Sequence, residues 1–231
     1  MAIPEGALAR LLTWFSPAFP VGSYTYSHGL EYAVEAGLVS ETASLTGWIE
    51  AIMRHGSGRN DAILLDVAWR AQTDGDVDLL ADALDWGCTF RGSSELALES
   101  TAQGRAFVEA VRAAWPEPRL DALASLAGAR DRALSYPVAV GAALAIAGIA
   151  PDTGRRAYLH AFAANLVSAA VRLIPLGQSD GLRALAALEA SVREVADETG
   201  GLTLADLGGA AWMADLCSAR HETQYTRLFR S

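Results

Sequence analysis

Apolar residues recur at helical intervals almost from one end of this chain to the other, and that spacing excludes most architectures. Leu8, Leu11, Leu12 and Phe15 fall at i, i+3, i+4 and i+7. Leu45, Trp48, Ile49 and Ile52 repeat the pattern, as do Leu159, Phe162, Ala163 and Leu166. Leu185, Leu188, Val192 and Val195 form a further stripe at three- and four-residue steps. Such stripes bury one side of a helix against a neighbour. Period-two alternation never lasts beyond a few residues and β-branched residues are sparse, so no strand is expected. The expected fold is all-α, a single-domain bundle of roughly eight to ten helices over residues 1–231.

Start and stop signals agree with the stripes. Ser40 before Glu41 suits a helix N-cap, Ser179 or Asp180 suits another, and Thr203 with Asp206 resembles a capping box. Gly37, Gly75, Gly148 and Gly200-Gly201 fall where the stripes end, and Pro116, Pro118, Pro151 and Pro175 punctuate the remainder. No linker or repeat divides the chain.

Composition narrows the chemistry. Apolar residues make up 52% and charged residues 19% of the 231, which describes a folded chain. A net charge of -9 argues against general nucleic-acid binding. All 18 basic residues counted as Lys or Arg are arginine, so Schiff-base catalysis and a phosphate-loop lysine are excluded. Cys88 and Cys217 stand alone, which argues against a disulfide framework or a zinc module and fits a reducing compartment. No signal peptide is read in Met-Ala-Ile-Pro-Glu-Gly, so the expected location is cytoplasmic. Residues 133–151 form an uncharged stretch nominally long enough to span a membrane, but their Ala and Gly content and Pro137 favour a buried helix.

Three segments stand out from the helical background. The first is Ser16 to Glu31, SPAFPVGSYTYSHGLE, in which two prolines and Gly22 stop a helix and Tyr24, Tyr26 and His28 follow at alternate positions. An aromatic-rich kinked loop is costly to order, so it is expected to serve a site or an interface. His28 and Glu31 have the spacing of a metal-ligand pair, yet a di-metal bundle needs a second such pair and two more carboxylates, which the sequence lacks. A histidine hydrogen-bonded at a helix start is the simpler reading. His55, His160 and His221 are scattered: His160 reads as a satisfied interior or groove residue, and His221 as part of a solvated tail.

The second is Asn165 to Gly181, where Arg172 closes an apolar run and Pro175-Leu-Gly breaks it before Gln178. Arg172 complements a helix dipole, while the apolar connector up to Gln178 suits a partner surface. The third is the tail, 218–231, in which Leu228-Phe229 is framed by Arg227 and Arg230. Apolar anchors beside arginine mark interface hot spots, whereas a frayed end is the default for any terminus. No Gly-x-Ser-x-Gly elbow, nucleotide loop or metal cluster is found, so no catalytic residue, metal site or cofactor is expected.

These segments together resemble the UreF family of urease accessory proteins. The resemblance is carried by SPAFPVGSYTYSHGLEYAVEAGLV at 16–39, YPVAVGAALAIAGI at 136–149, LVSAAVRLIPLGQSDG at 166–181 and HETQYTRLFRS at 221–231, with RGSSELALESTAQGRAF at 91–107 a looser match. It implies an all-α, non-enzymatic homodimer that binds UreD (also called UreH) and recruits the GTPase UreG, so that nickel reaches apo-urease. It further implies modulation of that GTPase and a C-terminal tail that orders on the UreD-type partner. Carried over by position, Tyr24 and Arg227 are expected to bind partners, with Tyr26, His28, Leu228 and Phe229 as further candidates at the same surface. Nickel passing through such a chain would use transient oxygen ligands and water.

Overall fold

The computed structural model describes residues 6–231, and among these every regular element is helical. Twelve α-helices follow one another. They are α1 (Ala7–Trp14), α2 (Leu30–Glu35), α3 (Thr42–His55), α4 (Ser57–Asp74), α5 (Val77–Thr89) and α6 (Ser94–Ala114). Then come α7 (Pro118–Ala129), α8 (Tyr136–Ile146), α9 (Pro151–Leu173), α10 (Gln178–Ala187), α11 (Glu189–Glu198) and α12 (Trp212–His221). Short 3-10 turns lie at Ser23–Thr25 and Leu204–Asp206. The all-α expectation is borne out. The division is finer than the stripes imply, because Leu188 kinks one apolar run into α10 and α11.

Of the expected caps the Thr203 and Asp206 box is found as read, while at α10 the N-cap is Gly177 and Asp180 stands at the third helical position instead of capping. Asp180 accepts the Gly177 N–H at 2.9 Å and Asp206 accepts the Thr203 N–H at 2.8 Å, each tying down a helix start. At α3 the cap is Glu41, with the Ser44 hydroxyl 3.1 Å from its N–H, one residue beyond the expected Ser40.

Burial sorts the side chains into two apolar clusters. One gathers α1, α5, α6, α7 and α8 around Ile63, Leu64 and Leu65 of α4. The other gathers α2, α3, α10, α11, Cys217 of α12 and Phe229 around Leu159, Ala163 and Leu166 of α9. Helices α4 and α9 contribute to both, α4 through Ala62 and α9 through Tyr158, and so join them.

Helix α8 is apolar on every side, and its residues from Pro137 to Leu144 are all buried. It is the uncharged stretch whose length raised the membrane question. Among the described residues no helix is long and apolar enough to cross a membrane. Small residues let α8 lie directly on its neighbours. A Cβ added at Gly141 would strike the Leu65 carbonyl of α4, and one at Gly104 of α6 would strike the Leu134 carbonyl.

Polar groups fasten the clusters where apolar contact alone has no direction. Asp66 of α4 is 2% exposed; one carboxylate oxygen pairs with Arg155 of α9, and the other lies 3.1 Å from Arg70 Nε and accepts the Gly201 N–H at 3.1 Å. Arg155 also donates from Nε to the Ala196 carbonyl at 2.9 Å. One carboxylate thereby holds α4, α9 and the end of α11 in register. Removing one partner from a buried pair of this kind costs about 3–5 kcal/mol.

The α4–α8 contact yields a paired prediction. Gly141→Ala should destabilise by about 1–3 kcal/mol, because the helices must separate. Gly47→Ala, at an exposed mid-helix position of α3 with nothing within 4 Å of the added methyl, should stabilise by about 0.5–1 kcal/mol. Urea unfolding of both variants checks the opposite signs, and equal effects would contradict the close approach.

Candidate interaction site at the loop and tail junction

The aromatic loop and the C-terminal tail, about 200 residues apart in sequence, run side by side. After α1 the chain turns through Pro17, Pro20 and Gly22 into the 3-10 turn, then reverses at His28 and Gly29, both at positive φ (59° and 76°), to enter α2. Gly29 is required there twice over. Its backbone is left-handed, and a Cβ would press on the Ser218 backbone of α12. Against this loop the tail makes two backbone contacts: Arg230 N–H donates to the Thr25 carbonyl at 2.8 Å, and Ser27 N–H donates to the Ser231 carbonyl at 2.9 Å.

Three carboxylates, buried Glu31 and Glu99 and part-buried Glu95, hold the tail from beneath. Glu31 of α2 accepts the N–H groups of Leu228 at 2.7 Å and Phe229 at 2.9 Å, and its Oε2 lies 3.1 Å from Nε2 of His221. Glu95 of α6 faces Nδ1 of His221 at 2.6 Å and pairs with Arg227 at 2.7 Å. Glu99, one turn further along α6, accepts the Ser231 hydroxyl at 2.7 Å and lies 3.4 Å from Nδ1 of His28. The tail alternates: Leu228 and Arg230 face outward, while Phe229 and Ser231 are buried. Phe229 sits under the Arg172 guanidinium, 4.4 Å from its ring centre, and burial lowers the pKa of Arg172.

The expected contact residues divide by depth. Tyr24 and Leu228 are 64% and 63% exposed, and Arg227 is exposed while anchored to Glu95. Tyr26, His28 and Phe229 are not at the surface; they are buried and support it. Tyr26 accepts from Asn165 Nδ2 through its carbonyl at 3.4 Å, and burial raises its phenol pKa. Arg172 joins α9 to the tail, whereas Gln178 stands exposed on the first turn of α10 and makes no hydrogen bond to loop or tail among the described residues.

His28 and Glu31, spaced like a ligand pair, point to different partners: His28 Nε2 lies 2.5 Å from the Ser57 hydroxyl, and Glu31 serves the tail. His221, read as solvated, is fully buried. Its partners come from two other helices, so neighbouring residues in the sequence gave no sign of this. A signal for Glu99 does exist. Leu96, Glu99, Ser100, Gln103 and Phe107 share one helical face, and polar residues within a buried stripe need partners.

Below the junction a cavity of about 290 Å³ extends inward between α1, α4, α6 and α9. Its inner wall carries Asp61, which pairs with Arg91 at 2.7 Å and accepts the Tyr158 hydroxyl at 2.7 Å. Burial and the Asp61 charge hold the Tyr158 phenol well above its ordinary range, and burial alone raises Tyr136. For Arg91, burial is the largest single influence and opposes the charge, but Asp61, Tyr158 and Glu99 together outweigh it and leave the guanidinium more basic. Exposed His160 stands in the same cavity wall, a groove position. The cavity's acids are thus committed to protein partners. Among the described residues no group of three or more His, Cys, Asp or Glu side chains could hold a metal ion.

Two expected outcomes test this geometry. Glu31→Ala leaves the Leu228 and Phe229 N–H groups and a His221 nitrogen without their acceptor, each worth about 1–3 kcal/mol. The tail should then open before the rest unfolds, and trypsin should cut after Arg227 about tenfold faster or more; an unchanged rate would contradict the anchor. Secondly, in a chain without lysine, alkaline titration reports mainly tyrosine. The raised pKa values of buried Tyr26 and Tyr158 and of part-buried Tyr136 mean that the folded state keeps protons the unfolded chain releases above about pH 10. Stability is therefore complete below that pH and falls as pH rises through it. Absorbance should show part of the six tyrosines ionising only as helical circular dichroism is lost; uniform ionisation with helices intact would contradict it.

The five stretches that carry the resemblance meet at this junction and the cavity below it: the loop, α6 through Glu95 and Glu99, α8 through Tyr136, α9 through Arg172, and the tail. A family model described as UreF matches residues 39–189. The urease accessory protein UreF of Bradyrhizobium sp. (strain BTAi1) is 51% identical over 225 residues, spanning 97% of this chain and 92% of that protein. That of Rhodopseudomonas palustris (strain HaA2) is 50% identical over 232 residues, spanning 100% and 97%. That of Granulibacter bethesdensis is 49% identical over 227 residues, spanning 98% and 95%. The family model covers most of the chain and these relatives are about half identical to it over nearly its full length, and the chain therefore belongs to the UreF family of urease accessory proteins.

Proposed function

We propose that this chain is a non-enzymatic, cytoplasmic scaffold that docks a UreD/UreH-type partner at the loop and tail junction and recruits the GTPase UreG, so that nickel is inserted into apo-urease. The observation that carries the reading is the junction itself. Tyr24, Tyr225 and Leu228 are large and more than half exposed; Glu31 accepts the Leu228 and Phe229 N–H groups, Arg172 covers the Phe229 ring, and the Arg230 N–H ties the tail to Thr25 beside Tyr24. Aromatic and apolar groups on a rigid base bind with little loss of conformational freedom. Asp61 and Glu99, the buried carboxylates of the cavity wall, already serve Arg91, Tyr158, His28 and Ser231.

A homodimer fits the same reading, since two copies would present two junctions to a paired partner. Nickel is cargo in this scheme, and any passage through the chain would use transient oxygen ligands and water rather than a tight site. Modulation of UreG turnover would follow from holding the GTPase beside the complex, with no group of this chain committed to hydrolysis.

The test is assembly. Mixed with purified UreD and UreG in the presence of GTP and nickel, the chain should form a complex whose mass by light scattering exceeds that of any single component. Tyr24→Ala and Leu228→Ala remove exposed side chains and should leave the fold intact while weakening capture of UreD, each by about 1–4 kcal/mol. Components that stay separate, or variants with unchanged affinity, would contradict the proposal.

A further inference from the structure

The cavity of about 290 Å³ beneath the junction joins an apolar body to a polar end, at the lower edge of the roughly 300–1,000 Å³ typical of small-molecule sites. Trp14, Phe15, Val21, Leu96 and Phe162 supply apolar wall, and the Tyr136 and Tyr158 rings lie beside each other with centres 5.4 Å apart. The polar end is built on Asp61 of α4. Its two oxygens are already taken, one by Arg91 Nη1 at 2.7 Å and the other by the Tyr158 hydroxyl at 2.7 Å.

Three donors of the wall-forming residues have no protein partner among the described residues. The Arg91 side chain is only 6% exposed, yet its Nη2 meets no acceptor. Trp14 is 2% exposed, and its indole nitrogen is likewise alone. The Tyr136 hydroxyl makes no hydrogen bond, although the backbone N–H of the same residue donates to Ser100 Oγ at 3.3 Å. Buried donors left without acceptors are rare and costly. What this wall lacks is therefore an acceptor, and charge narrows the choice. Asp61 already neutralises Arg91, and Glu99 adds a second carboxylate to the wall, so an anion would meet negative surroundings. A cation would face donors. An uncharged carbonyl oxygen leaves no unbalanced charge, and its two lone pairs serve two donors.

We propose that this cavity binds a small uncharged carbonyl compound with a flat apolar body, its oxygen accepting from Arg91 Nη2 and the Tyr136 hydroxyl and its body lying against the Trp14 indole. No bond is made or broken; the chain holds the molecule. The site stands on the cavity alone and is independent of the scaffold reading.

Three probes of similar shape test it on the full-length chain: acetophenone carries a ketone on a ring, ethylbenzene has the ring without an acceptor, and benzoate has an anionic one. Saturation-transfer NMR reads affinity, and the Trp14 indole N–H signal, one of six in the chain, reads location. Acetophenone should bind with a Kd of about 1 mM or tighter, at least about fivefold more tightly than either companion, and should shift the Trp14 signal. Tyr136→Phe deletes a hydroxyl that has no protein partner, so it should weaken acetophenone about three- to tenfold and leave ethylbenzene unchanged. Ala161→Leu narrows the cavity and should weaken both probes; if one variant fails to fold, the other carries the comparison. A Trp14 signal that stays in place, equal affinity for the ketone and either companion, or a Tyr136→Phe loss shared by ketone and hydrocarbon overturns the site. Assembly with UreD and UreG is a separate measurement, and neither result decides the other.

Discussion

A carboxylate removed from water must be met by donors, and this requirement sets the position of most long-range contacts in the molecule. Asp66 brings α9 and the end of α11 to α4; Asp61 brings Arg91 of the α5–α6 connection and the Tyr158 hydroxyl to the same helix. Glu31, Glu95 and Glu99 do for the tail what the two aspartates do for the core. Apolar burial gives the helices a reason to associate, but the slippery Ala-rich faces of α8 and α9 would tolerate several registers. The ion pairs select one, and arginine suits the task because its fork can serve two acceptors at once.

Much of this was legible in the sequence. The stripes Leu45 to Ile52 and Leu159 to Leu166 became the buried faces of α3 and α9, and Gly37, Gly75 and Gly148 follow the helices they end. The loop and tail could be picked out because their residues were too aromatic and too apolar for their irregular patterning. Their juxtaposition could not be read, since nothing local in HETQYTRLFRS says that Glu31 and Glu95 wait for it. His221 illustrates the limit. Beside Arg220 and Glu222 it looks solvated, and only the arrival of two other helices makes it the most enclosed histidine in the junction.

The same requirement governs the cavity. In a catalytic pocket some titratable groups are left short of partners so that substrate can complete them. Around this cavity Asp61 is shared between Arg91 and Tyr158, and Glu99 among His28, Gln103 and Ser231, so their hydrogen-bonding capacity is already used to hold helices together. Beside them Arg91 Nη2 and the Trp14 indole nitrogen are buried without a protein partner, and on the outside Tyr24, Trp212, Tyr225 and Leu228 are exposed.

The in-and-out alternation of Leu228, Phe229, Arg230 and Ser231 gives the end of the chain a reading frame. Each residue is assigned to the interior or to the exterior by parity, as in a strand laid on a sheet. The distance from His221 to Phe229 therefore matters as much as the identity of either. A single residue inserted between them would turn the anchors into display groups and the display groups into anchors, with the composition of the tail almost unaltered.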